Sequence, residues 1–132
     1  MWVSRILLCL GALVGSVSMW DTLTHTWDPA FRAPDLPLGP THTNYHAFRE
    51  FTLGVGATAV MLYVAFRPAA GRSRSLWVVL LITAASYYGG WWLPGPLFGL
   101  TAPNAAATGV HLAATVLSLA GVAAAWRHFR QG

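Results

Sequence analysis

The stretch THTNYHAFREFTLGVGATAVMLYVAF, Thr41–Phe66, holds the two features on which the reading of this chain turns. Its second part, Phe51–Phe66, is almost wholly apolar, and its first part carries His42, His46 and Glu50 at four-residue spacing. A helix needs about 20 residues to cross a bilayer. Phe51–Phe66 alone falls short, but the length suffices if the helix begins near Thr41, a suitable N-cap preceded by Pro40. The stretch predicts a helix that starts outside the membrane and enters it near Phe51.

Three further apolar runs repeat the pattern: Ile6–Trp20, Leu76–Leu93 and Ala105–Trp126. Of the 132 residues 55% are hydrophobic and only 9% charged, with a mean hydropathy of +0.51. A soluble domain carries about a quarter charged residues, so there is too little charge here to cover a water-exposed surface. The expected fold is one all-α integral membrane domain over residues 1–132, a four-helix transmembrane bundle. Its spans are expected at about 4–22, 41–66, 75–93 and 104–127, with an outer loop at 23–40. Tryptophans gather at the run ends, as an interfacial belt would. Pro29, Pro34, Pro37 and Pro40 give the outer loop an extended path. Pro94-Gly95-Pro96 is expected to end the third helix and Pro103 to open the fourth. Gly11-x-x-x-Gly15 and Gly54-x-Gly56 permit close helix approach, within the chain or between copies. Residues 1–18 are read as part of a retained span. Their rival reading is a cleaved signal peptide, because Arg5, an apolar run and Ser16-Val17-Ser18 fit that pattern too.

All eight basic residues are arginines. Arg5, Arg67, Arg72, Arg74, Arg127 and Arg130 flank one end of the runs, and only Arg32 and Arg49 the other. The positive-inside rule then places both termini in the cytoplasm and the 21–41 and 94–104 loops outside. The arginines form no continuous patch interleaved with aromatics, so the lipid bilayer, and not nucleic acid, is the expected partner. Arg49 would reach lipid phosphate, or else Asp21 or Asp35, and His128 reads as a solvated residue of the tail. The lone Cys9 can make no internal disulfide. Nucleotide-binding glycine loops, C-x-x-C pairs and a serine nucleophile elbow are all absent from the sequence.

His42, His46 and Glu50 fall within about 80° of one another on a helix. Two histidines four apart can close on one metal ion, and a carboxylate one turn on can ligate, orient or act as a base. Asp21 and His25 share a face if the first helix runs through Thr24. The fourth run carries Asn104, Thr108, His111, Thr115 and Ser118, a polar seam that should face the bundle. Counted from the cytoplasmic arginines, Asp21 lies 16 residues from Arg5, Glu50 17 from Arg67, Trp91 17 from Arg74, and His111 16 before Arg127. Each is then about 24 to 26 Å up its helix. Asp21, Glu50, Trp91 and His111 are expected in one layer, with His25 and His46 a turn above and His42 higher still.

The stretch Asp21–Phe31, DTLTHTWDPAF, followed by His42-x-x-x-His46, resembles a pattern in small four-span bacterial membrane proteins, loosely DoxX-like. The likeness covers the first half of the chain. It implies a four-span protein of the bacterial inner (plasma) membrane and brings no assigned activity. The pair His46-x-x-x-Glu50 is similar to one used by the emopamil-binding-like group of sterol isomerases. That likeness implies an acid–base pair acting on a lipid-soluble substrate, although an outer-face position departs from that group.

The functional expectation is therefore a metal ion, zinc or copper, held by His25, His42, His46 and His111 with Asp21 and Glu50 as ligands or orienters. Haem between His46 and His111, with Trp91 beside it, is a variant that leaves the other polar residues unused. The alternatives are a membrane enzyme using His46 and Glu50 on a small hydrophobic ligand, and a structural subunit or assembly factor that packs on a partner membrane subunit.

Overall fold

The computed structural model describes residues 1–33 and 41–130. The extended path through Pro34, Pro37 and Pro40, and Asp35 as a partner for Arg49, lie outside the described residues. Four long helices carry the chain, in order α1 (Trp2–Thr24), α2 (His42–Ala65), α3 (Arg74–Trp92) and, after a short α4 (Pro94–Phe98), α5 (Ala105–Phe129). No strand occurs among the described residues. α1, α2 and α5 are each long and apolar enough to cross a membrane. α3 (19 residues) is not among them: its second half, Ser86-Tyr87-Tyr88-Gly89-Gly90-Trp91-Trp92, is made of aromatic residues, glycine and serine, which lower its hydropathy.

Helix starts follow local chemistry. Asn44 Oδ1 accepts the Thr41 N–H at 2.8 Å and so helps close the first turn of α2. Ser73 Oγ accepts from Leu76 N at 3.3 Å at the start of α3. At α5 the capping residue is Asn104, whose Oδ1 accepts from Ala107 N at 2.8 Å, and Pro103 stands just before it. The chain does not leave helical geometry for good at Pro94. That proline occupies the first turn of α4, where its missing N–H is no loss. Gly99, with φ of 71°, then ends α4 in the left-handed conformation that glycine adopts freely.

α1 packs on α2 and α5, and α3 completes the ring by packing on the same two helices. The α1–α5 seam is the most extensive, and small residues explain it. Ser4 Oγ donates to Gly121 O at 2.8 Å. A Cβ on Gly121 would come within 3.1 Å of Leu8 N and 3.2 Å of Ser4 O, and one on Gly11 within 3.0 Å of Ser118 N. The backbones touch because these positions have no side chain, the way membrane helices gain contact without a hydrophobic drive. Gly15 likewise faces Ala114 and Trp91, so the Gly11-x-x-x-Gly15 stripe is used inside the chain. Gly54 admits the ring of Tyr87, whereas Gly56 faces open space. The core gathers Leu8, Met61, Val64, Leu80, Tyr88, Val122 and Phe129.

Arg5 Nε donates to Ala65 O at 3.0 Å, Arg72 lies over Phe129 and Arg74 over Trp126. One end of the bundle therefore collects the N-terminus, the end of α5, the α2–α3 link and six of the eight arginines, all but Arg32 and Arg49. The far end carries the α1–α2 and α3–α5 connections.

Candidate functional site

At the far end α1 presents Ser18, Asp21, Thr22 and His25 on one side. The helix continues through Thr24, with His25 as its C-cap, so Asp21 and His25 do share a face. Just beyond, Asp28 caps the turn Pro29–Phe31 by accepting from Ala30 N at 2.8 Å, and the His25 ring stacks on Phe31 with centroids 4.4 Å apart. Asn44, buried at the start of α2, donates from Nδ2 to His25 O at 2.8 Å and to Asp28 O at 3.2 Å. That clamp ties the end of α1 to α2. His25 Nδ1 lies 3.5 Å from Asp28 Oδ2, an ion-pair distance if the imidazole is protonated, and it makes no hydrogen bond.

On the other side of the bundle His111 of α5 is held between α1 and α3. Its ring stacks on Trp91 at 4.4 Å between centroids and 20° between planes. Its Nε2 lies 3.0 Å from Ser18 Oγ. Below it Thr115 donates to His111 O at 2.7 Å and accepts from Trp92 Nε1 at 2.9 Å. Ser118 donates to Tyr88 Oη at 2.8 Å in full burial. The seam of α5 thus faces the bundle from His111 downward. Above that, Thr108 is exposed and turns back to its own backbone, donating to Asn104 O at 3.0 Å.

These groups border an open cavity of about 450 Å³, whose lining includes Asp21, His25, Glu50, Trp91, Asn104 and His111, with Trp20, Val17 and Val110 as apolar wall. A second cavity of about 200 Å³ is lined by Thr22, His25, Phe31, Thr43, His46, Ala47 and Glu50. Thr22, His25 and Glu50 belong to both. A water-sized void of about 10 Å³ adjoins Glu50 as well, bordered by Ser18, Thr22, Tyr87 and Trp91. Glu50 stands where the three spaces meet, and like Asp21 it keeps contact with solvent.

The layer of Asp21, Glu50, Trp91 and His111 is thus brought onto one cavity wall. The six expected ligands are not brought into one set. His46 lines the smaller space and His111 the larger, while His42 borders neither. His42 and His46 meet each other, Nε2 to Nε2 at 2.8 Å with rings 85° apart. Among the described residues no three of His, Cys, Asp and Glu form a group that could hold a metal ion. The reason is azimuth: the stripe on α2 faces the α1 side of the bundle, and the histidine of α5 is drawn toward Trp91 on α3. Ser18, Thr22 and Asn44 are site residues outside the sequence-based set. Ser18 and Thr22 had a legible signal, since with Asp21 and His25 they recur at three- and four-residue spacing along α1.

Comparison with protein-family models, curated proteins and solved structures finds no match to this chain. Its site rests on the geometry above.

Proposed function

We propose that this chain is a four-span inner-membrane protein that takes a small lipid-soluble molecule into the far-end cavity, where Glu50 acts on its polar group. The observation carrying this reading is that Glu50 borders both larger cavities, with His46 lining one, Asp21 and His111 the other, and His25 both. Apolar walls with a few convergent polar groups suit such a ligand. A carboxylate with an imidazole on each side can accept and return a proton, the chemistry of an isomerase-like enzyme. α3 is the fourth span in this reading, and the arginine-rich end faces the cytoplasm.

Mass spectrometry of lipid-soluble molecules retained by purified wild-type protein tests it. A discrete compound class should be enriched and should fall about ten-fold in Glu50→Gln or Trp91→Ala, a loss of about 1.4 kcal/mol in binding. Equal retention by wild type and variants would remove the reading. Labelling of single cysteines at Gly71 and Ala102 with a membrane-impermeant maleimide, in a Cys9→Ser background, tests orientation: only position 102 should react in intact cells.

Metal binding is the second reading, and the His42–His46 contact favours it. In that reading zinc or copper is held by this pair with solvent or a partner's ligand, and His111 takes no part.

A further inference from the structure

Away from the cavity, the chemically distinct place in the molecule is the last turn of α2 and the residues after it. Arg5 reaches it from α1: its Nε donates to Ala65 O at 3.0 Å, and its guanidinium lies 4.9 Å from the Phe66 ring and 5.4 Å from that of Trp2. Arg67 follows Phe66 in the chain and lies 5.1 Å over Tyr63. Arg72 donates from Nε to Arg67 O at 3.1 Å and lies 5.8 Å over Phe129. Three guanidiniums from two segments are thereby fixed to one short piece of backbone, all half-buried.

Capping the carbonyl end of α2 explains part of this, since cations are favoured there. It does not explain the whole. The bonds to carbonyl oxygens use the Nε of Arg5 and of Arg72, and the rings cover guanidinium faces. The terminal N–H groups remain for another acceptor. Arg67 Nε is shielded from solvent and has no hydrogen-bond partner. None of the three arginines pairs with a carboxylate among the described residues, where Asp21, Asp28 and Glu50 all lie at the far end. Three like charges on one short stretch, with no carboxylate beside them among the described residues, call for an anion, and planar guanidinium forks match a phosphate with paired hydrogen bonds. A chain that spans a bilayer offers this end to lipid headgroups, whose phosphates lie just beyond the apolar core.

We propose that Arg5, Arg67 and Arg72 form a headgroup site that holds the phosphate of an anionic phospholipid. Zwitterionic lipids carry the same phosphate, but their own ammonium competes for it, so the site selects net negative charge. The site is independent of the far-end cavity.

Native mass spectrometry of the full chain released from detergent micelles tests this with three probes: phosphatidylglycerol, phosphatidylcholine and inorganic phosphate. Wild type should retain phosphatidylglycerol about ten-fold more than phosphatidylcholine. The triple variant Arg5→Lys/Arg67→Lys/Arg72→Lys, which keeps the charges and loses the forks, should lose most of that preference. Arg127→Gln/Arg130→Gln should keep it. Equal retention of the two lipids by wild type, or an undiminished preference in the triple variant, would overturn the proposal. Full displacement of phosphatidylglycerol by millimolar inorganic phosphate would assign the site to a free anion instead. If circular dichroism shows the triple variant unfolded, the single variant Arg72→Lys and the wild-type comparison decide.

Discussion

The indole of Trp91 and the imidazole of His111 lie face to face, 4.4 Å apart, and Ser18 Oγ fixes the imidazole edge from α1 at 3.0 Å. Three helices therefore meet at one ring. Trp91→Leu leaves an apolar residue at the cavity wall but removes the stack and part of the volume packed against Tyr87 and Tyr88. We expect a loss of at least about 1 kcal/mol, the worth of an aromatic pair beyond its area, with the lost volume adding to it. It should appear as a fall of at least about 3 °C in the thermal midpoint of the detergent-solubilised protein. An unchanged midpoint would mean that the stack holds His111 no more firmly than Leu does.

The α1–α5 seam depends on missing side chains. A Cβ on Gly11 would press on the Ser118 side chain and come within 3.0 Å of Ser118 N and 3.2 Å of Ala114 O, groups of the partner backbone that cannot step aside. Gly11→Ala should cost about 1 to 3 kcal/mol, as overpacking does. Gly56→Ala meets nothing within 4 Å and should be neutral or slightly stabilising, because alanine favours helix more than glycine does. Parallel thermal denaturation of the two variants checks the contrast; equal effects would contradict the seam.

The bundle was legible in the sequence because its signals are one-dimensional. Apolar runs, arginine placement, and Thr41 and Pro103 at the helix starts need no knowledge of neighbours. The gathering of Asp21, Glu50, Trp91 and His111 on one cavity was legible too, since 1.5 Å per residue converts counting into position along each helix. What the sequence does not carry is rotation. The helices are apolar nearly all round, so periodicity does not say which side faces which helix. His46 and His111 consequently line separate spaces although their heights suggested one. Trp77 illustrates the same gap: it stands near the start of its apolar run, where a belt residue is expected, yet its Nε1 donates inward to Val122 O at 3.0 Å.

Tyr88 and Ser118 form a buried pair in which each hydroxyl depends on the other, at 2.8 Å. Tyr88→Phe leaves Ser118 without that acceptor, and Ser118→Ala leaves the tyrosine hydroxyl without that donor. Each single change should cost about 1 to 3 kcal/mol, the penalty of an unsatisfied buried polar group. The double variant should cost less than the sum, since it removes both orphans. Additive losses in a denaturation cycle would show that the two hydroxyls do not act together.

His42 and His46 already meet at 2.8 Å between Nε2 atoms. Two nitrogens bound at about 2.0 Å to a tetrahedral zinc stand about 3.3 Å apart. A side-chain rotation that opens the pair by about half an ångström would therefore admit an ion, with water completing its shell. Any zinc or copper found by elemental analysis should then approach one ion per chain. It should be lost in His42→Ala and in His46→Ala, and persist in His111→Ala, since His111 borders the other cavity. Metal lost equally in all three variants would require α2 and α5 to bring their histidines together. Metal no higher in wild type than in the His42→Ala/His46→Ala double variant would leave the pair as one imidazole N–H donating to the other ring's lone pair.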